Sequence, residues 1–254
     1  MTAAARKKKA PARKATRKAA PNPSSSGTKG VAYALAWLEK NGSKAGRDGM
    51  ARFNIPSDKA FGVPMGRVQA LAKELGRSHE LALALWETDR YEARLLCAFV
   101  DEPERVTAAQ MDRWRRDFDN WGVVDTLCFA LFDRTKDAWK MVDKWAKAPD
   151  EFGKRAAYAL IWSLSVHDKA AGDAPFLKGL ALMERAAEDE RHFVSKGVNM
   201  ALRAVGKRNP ALNKAAIAVA RRLAASTEAA PRWVGKDALR ELSSPSVVRR
   251  LAAR

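Results

Sequence analysis

Acidic residues are missing from the first 29 positions of this 254-residue chain, and cysteine and histidine are scarce throughout. The two cysteines, Cys97 and Cys128, lie among apolar neighbours, and the three histidines, His79, His167 and His192, are scattered. Without a CxxC pair or a histidine cluster the chain offers no zinc-ligand spacing, so no metal site is expected. Two isolated cysteines suit free, buried thiols in a reducing cytoplasm rather than a disulfide framework. No run of eighteen apolar residues occurs, which excludes a membrane-spanning helix. The N-terminus lacks the apolar stretch of a secretion signal. There is also no strand-length run of alternating β-branched residues.

What the chain has in excess is positive charge. Lys and Arg number 47 against 29 Asp and Glu, a formal net of +18, and the sequence pI is near 10.2. Residues 1–29 hold nine of those bases (Arg6, Lys7, Lys8, Lys9, Arg13, Lys14, Arg17, Lys18 and Lys29). The remaining 38 bases against 29 acids leave a surplus of nine on residues 30–254. The folded part is therefore basic on its own account, and a polyanion is the expected partner, with duplex DNA or RNA the commonest. A basic tail on an ordinary enzyme is the plainer alternative.

The organisation is arm, junction, fold. Residues 1–27 read as a disordered polybasic arm, ending in the junction Pro21-Asn22-Pro23-Ser24-Ser25-Ser26-Gly27. From residue 28 to 254 the apolar residues keep a helical period almost throughout. Examples are Val68, Leu71, Leu75; Val124, Leu127, Leu131; Ala157, Leu160, Ile161, Leu164; and Val194, Val198, Leu202, Val205. Breakers are expected between the faces at Pro56, Pro64, Gly76, Pro103, Pro149, Pro175, Pro210, Pro231 and Pro245. Thr107 with Gln110 has the form of a capping box, and Ser78 precedes the helix of Leu81. About a dozen helices of 8–18 residues follow, as an α-solenoid or a compact bundle.

One stretch carries chemistry. Asp119-Asn120-Trp121-Gly122-Val123-Val124-Asp125 puts an indole and a carboxylate four residues apart, on one helical face. An aromatic plate beside one acid, in a cationic chain, suits gripping a nucleic acid and stabilising positive charge at one point. Breaking the sugar–base bond of a damaged nucleotide demands both. The plainer readings are Trp121 as core, Asp125 as a structural acid paired with Arg94 or another arginine, and Asp119 or Asn120 as a helix cap.

Three ordered blocks resemble the AlkD-like DNA alkylation-repair glycosylases. These are Phe61-Gly62-Val63-Pro64-Met65 running into Val68–Leu75, then Tyr91-Glu92-Ala93-Arg94-Leu95-Leu96, then the segment from Asp119 to Asp125. A weaker block runs from Phe193 to Arg203 and ends in Lys207-Arg208-Asn209-Pro210. The resemblance covers roughly residues 30–250. It implies an all-α, C-shaped solenoid of HEAT-like antiparallel helix pairs with a basic concave face holding duplex DNA. It implies a monofunctional N-glycosylase that removes cationic alkylpurines (3-methyladenine, 7-methylguanine) with no metal and no cofactor. Carried over, Asp125 becomes the catalytic carboxylate and Trp121 the aromatic plate. Arg155 becomes the motif arginine, with Lys154 as the other candidate. Met200 stands where a second tryptophan is usual.

The bases have a pattern of their own. Lys196, Arg203 and Lys207 recur at seven and four residues, and Arg232, Lys236 and Arg240 at four. Two such stripes on neighbouring helices would track a phosphate backbone, although a charge stripe is also an ordinary solvated face. The expectation is a cytoplasmic, nucleoid-associated monomer on DNA. The alternatives are a catalytically silent paralogue that binds DNA by shape, and a helical protein-interaction scaffold.

Overall fold

The computed structural model describes residues 30–253; the arm expected over residues 1–27 lies outside them. The described residues form an all-α structure of fourteen helices. In chain order these are α1 (Val31–Asn41), α2 (Lys44–Met50), α3 (Met65–Leu75), α4 (His79–Trp86), α5 (Tyr91–Val100), α6 (Ala108–Arg115) and α7 (Trp121–Ala130). They continue as α8 (Ala138–Trp145), α9 (Glu151–His167), α10 (Ala174–Ala186), α11 (His192–Gly206), α12 (Pro210–Ala224), α13 (Ala229–Leu242) and α14 (Pro245–Ala252).

From α3 onward the helices alternate between two rows. The front row is α3, α5, α7, α9, α11 and α13, each packed on the next; each of α4, α8, α10 and α12 packs behind its front-row successor. Contacts between residues near the starts of neighbouring front-row helices show that these helices run parallel. Tyr91 lies against Gly122, Asp125 meets Arg155, and Arg155 lies against Gly197. This is a solenoid, with α1 against α4 and α5 at one end and α14 against α13 at the other.

Aromatics join the back row. Trp86 of α4 stacks on Trp114 of α6 with ring centres 4.3 Å apart and planes 7° apart. Trp114 then meets Phe132, Phe132 meets Trp145 of α8, and Trp139 of α8 meets Phe176 of α10. Ion pairs run along the same row: Asp112–Lys144, Asp143–Lys178 and Glu184–Arg222. Each link spans one helix pair in sequence, so the row repeats a single kind of contact.

Capping explains the helix starts. Ser43, Ser78, Thr107, Asn120, Asp150, Asn209 and Ser244 each accept from a backbone N–H three residues on. Two local expectations change. Pro175, Pro210, Pro231 and Pro245 do not separate helices; they sit in the first turn of α10, α12, α13 and α14, where no intrahelical N–H bond is lost. Gln110 does not return the capping bond of Thr107, because its amide donates to buried Asp101 instead.

Candidate active site

The blocks singled out in the sequence are joined through α5. Glu92 is fully buried, and its carboxylate accepts the N–H groups of Phe61, Gly62 and Val63. Arg94 donates to the Asp117 carbonyl and pairs with Asp89. The segment before α3 and the segment before α7 are therefore both pinned to α5. Arg94 is not the partner of Asp125.

At the start of α7 the Trp121 ring is half-buried, and its Nε1–H donates to the Phe53 carbonyl at 2.7 Å. The indole is thus held in one orientation by the short 3-10 turn after α2. Gly122 makes this junction possible. A Cβ there would stand 2.7 Å from the Tyr91 hydroxyl and 3.3 Å from Ile55.

One turn on, Asp125 meets Arg155 of α9 at two points. Nε donates to Oδ1 at 3.0 Å and Nη2 to Oδ2 at 2.7 Å. This fork-to-fork geometry fixes the carboxylate plane. Arg155 is itself buried and anchored by the Phe193 carbonyl at 3.0 Å, and its Nη2 lies 4.0 Å from the Met200 sulfur. Gly197 lets this side chain pass, since a Cβ there would stand 3.3 Å from Arg155 Cγ. Burial pushes the Asp125 carboxyl above its ordinary value, while the Arg155 guanidinium opposes the rise. Asp125, Arg155 and Met200 thus meet across α7, α9 and α11, with Trp121 one turn before Asp125 on α7.

Lys154 points elsewhere. It pairs with Asp189, which also holds Arg191, and these partners hold the Asp189 carboxyl far below the usual range. The two basic stripes do not form rows of unengaged cations. Arg203 and Lys207 both pair with Glu241, and Arg203 lies near Asp237 as well. Arg240 pairs with Asp237, and Arg232 donates to the Ser226 and Thr227 carbonyls. Lys196 stands over the exposed Trp233 ring, 4.7 Å from its centre, and Lys236 is exposed.

Sequence reading missed part of this face. Phe129 lies four residues beyond Asp125 on the same stripe of α7, and its ring meets Trp162 edge-on at 4.5 Å and His167 at 5.8 Å. Extending the four-residue step from Trp121 and Asp125 would have found it. Both cysteines are buried, and burial pushes their thiols well above the usual value, leaving them inert. Among the described residues no group of three His, Cys, Asp or Glu could hold a metal, and no helix is long and apolar enough to cross a membrane.

Two comparisons bear on this arrangement. A family model described as DNA alkylation repair enzyme matches residues 34–242. A solved structure described as "A new family of proteins related to the HEAT-like repeat DNA glycosylases with affinity for branched DNA structures" superposes with a TM-score of 0.70. It is 19% identical, and the match covers 83% of this chain and 94% of that one. At that identity the likeness is one of fold. No curated protein matches the chain.

Proposed function

We propose that this chain, which belongs to the DNA alkylation repair enzyme family, is a monofunctional glycosylase. Its substrates would be cationic alkylated purines of the 3-methyladenine and 7-methylguanine type in duplex DNA. The observation that carries the reading is the meeting of Asp125, Arg155 and Met200 across three front-row helices, with Trp121 one turn before Asp125.

A purine alkylated at N3 or N7 already carries positive charge. When its bond to C1′ breaks, the electron pair leaves with the base, which departs neutral without a general acid. The sugar is left as an oxocarbenium ion. Asp125, ionised and oriented, stabilises that cation and orients the water that adds to C1′, the water's proton passing to the carboxylate or to solvent. Arg155 occupies one acceptor position on each carboxylate oxygen, and a carboxylate has about four in all. Positions therefore remain for a water. Trp121 offers an aromatic surface to the same positive charge. The chemistry needs neither metal nor organic cofactor, and it suits a monomer working in the cytoplasm at the nucleoid.

Release of 7-methylguanine from a methylated duplex tests the reading, with Asp125→Asn as the control. Loss of one positioned electrostatic group lowers the rate by about 10²–10³, while affinity for an unmodified duplex stays nearly unchanged. Full activity in Asp125→Asn would remove the proposed role.

Met200 favours a second reading. A thioether chain is not a flat wall, so a catalytically silent paralogue that binds DNA by shape would show duplex binding and no base release from the unaltered chain.

A further inference from the structure

Below Asp125 the front row opens into a cleft of about 430 Å³, a size typical of ligand sites. It is lined by residues of α3, α5, α7 and α9 and by the turns that follow α3 and α7. Phe99 and Phe129 supply apolar surface, Gln69 an amide, and Arg77, Arg134 and His167 basic groups. None of its lining residues is acidic. A second cleft of about 350 Å³ shares Gln69, Arg77 and Phe99 with it and adds Lys73, so the basic channel continues along α3.

Aromatic surface, an amide and a basic rim are the three requirements for holding a nucleotide. The ring takes the base face, the amide can bond a base edge, and the cations take the phosphate. An acidic peptide would satisfy the cations and leave the aromatic surface unused. We propose that this cleft holds one unpaired nucleotide of the bound DNA, with its base against Phe129 and Phe99 and its phosphate against Arg134 and His167. The proposal rests on the reading of the front row as the DNA-facing surface.

Two features support it. Arg134 is exposed and makes no ion pair among the described residues, unlike Arg203, Lys207 and Arg240 of the stripes on α11 and α13. His167 bonds through Nδ1 to Asp133, whose side chain is fully buried and whose Oδ1 has no partner among the described residues. That bond uses one ring nitrogen of His167 and leaves the other, Nε2, for a phosphate oxygen. The cleft is also lined by Thr126, next to Asp125, and by Phe129 one turn on, so the nucleotide it holds would neighbour the one at the acid.

The test compares two fluorescein-labelled duplexes that differ only by a single unpaired dT, titrated with the full chain at one salt concentration. Stacking on an aromatic ring should make the bulged duplex bind roughly tenfold tighter. Phe129→Leu and Arg134→Gln should each bring that ratio close to one. Arg134 is exposed, so its variant keeps the fold if the leucine variant does not. An unpaired 5-iododeoxyuridine should photocrosslink to Phe129 or Phe99. Equal affinity of the unaltered chain for both duplexes, equal loss on both in the variants, crosslinks only elsewhere, or competition by oligoglutamate as effective as by oligo-dT would each overturn the proposal. Asp125→Asn should keep the preference for the bulge. Loss of base release therefore tests the glycosylase alone, loss of the preference tests the cleft alone, and absence of DNA binding overturns both.

Discussion

At the scale of single residues, the Asp125–Arg155 pair decides most of what can be measured. Replacing Arg155 by Gln leaves a buried carboxylate without its countercharge, which costs about 3–5 kcal/mol and should appear as a lower Tm. The pH dependence follows from the same burial. In the proposed reaction Asp125 works ionised, and its folded carboxyl titrates above the ordinary value of about 4. The rate of base release should therefore fall as pH drops through that raised value, on a limb displaced upward from a free aspartate. Arg155→Gln should move the limb higher still, because the group that opposes the rise is gone. Single-turnover rates across the acid range check the sign; a limb at or below the ordinary value contradicts it. Met200→Trp tests the neighbouring position. An aromatic face beside the cation adds about 0.5–2 kcal/mol, a gain of about two- to thirty-fold in rate with Tm retained. A lower Tm with no gain would mean that Met200 packs rather than contacts DNA. Trp121 and Asp125 were legible in the sequence because a four-residue step has one meaning on a helix. The choice between Lys154 and Arg155 was not. Adjacent helical positions point about 100° apart, and only the packing of α9 against α7 and α11 shows which one turns to Asp125.

At the scale of helices, apolar periodicity gave the helices and left their partners undetermined. The stripes of α7, α9 and α11 were readable one helix at a time. The aromatic row of Trp86, Trp114, Phe132 and Trp145 was not, because its members come from successive repeats and meet only after the helices stack. The stripes of Lys196, Arg203 and Lys207 and of Arg232, Lys236 and Arg240 show the same limit. Spacing along α11 cannot reveal Glu241 of the facing helix, which engages Arg203 and Lys207, although the pairing of Arg240 with Asp237 three residues back on its own helix was within reach. The prolines of α10, α12, α13 and α14 were read as separators because proline breaks helix interiors, yet the first turn accepts it. The aromatic row leads to a prediction about stability without chemistry. Trp114 is fully buried and stacked on Trp86, so Trp114→Ala should destabilise the fold by about 3–5 kcal/mol. Urea unfolding gives the number, and base release measured well below the new midpoint should keep its rate, because no front-row residue of the site touches that ring. A shift under about 1 kcal/mol would mean that the back row does not carry the load assigned to it.

At the scale of the whole molecule, charge and fold divide the work. The solenoid holds the proposed site through contacts between front-row helices, and many surface bases of the fold are engaged by nearby acids. The nine bases of residues 1–29 face no acid within that stretch. Long-range attraction to DNA should therefore depend heavily on that segment, and orientation on the fold. Affinity supplied by phosphate neutralisation falls linearly on a log–log plot against salt, with a slope of about −0.9 per phosphate neutralised on duplex DNA. Removing residues 1–27 should make that slope shallower by several such steps and weaken duplex binding at low salt. Near 1 M salt, where charges beyond about 3 Å are screened, the two chains should bind almost equally. The Tm should stay unchanged, because all the buried helical contacts described lie in residues 30–253. Single-turnover release at saturating chain should also match, since the arm would recruit DNA and Asp125 would act on it. An unchanged slope would mean that the arm does not meet the backbone. A slower saturated rate would mean that the arm helps to seat the lesion at α7, and the division of labour would then fail at the chemical step.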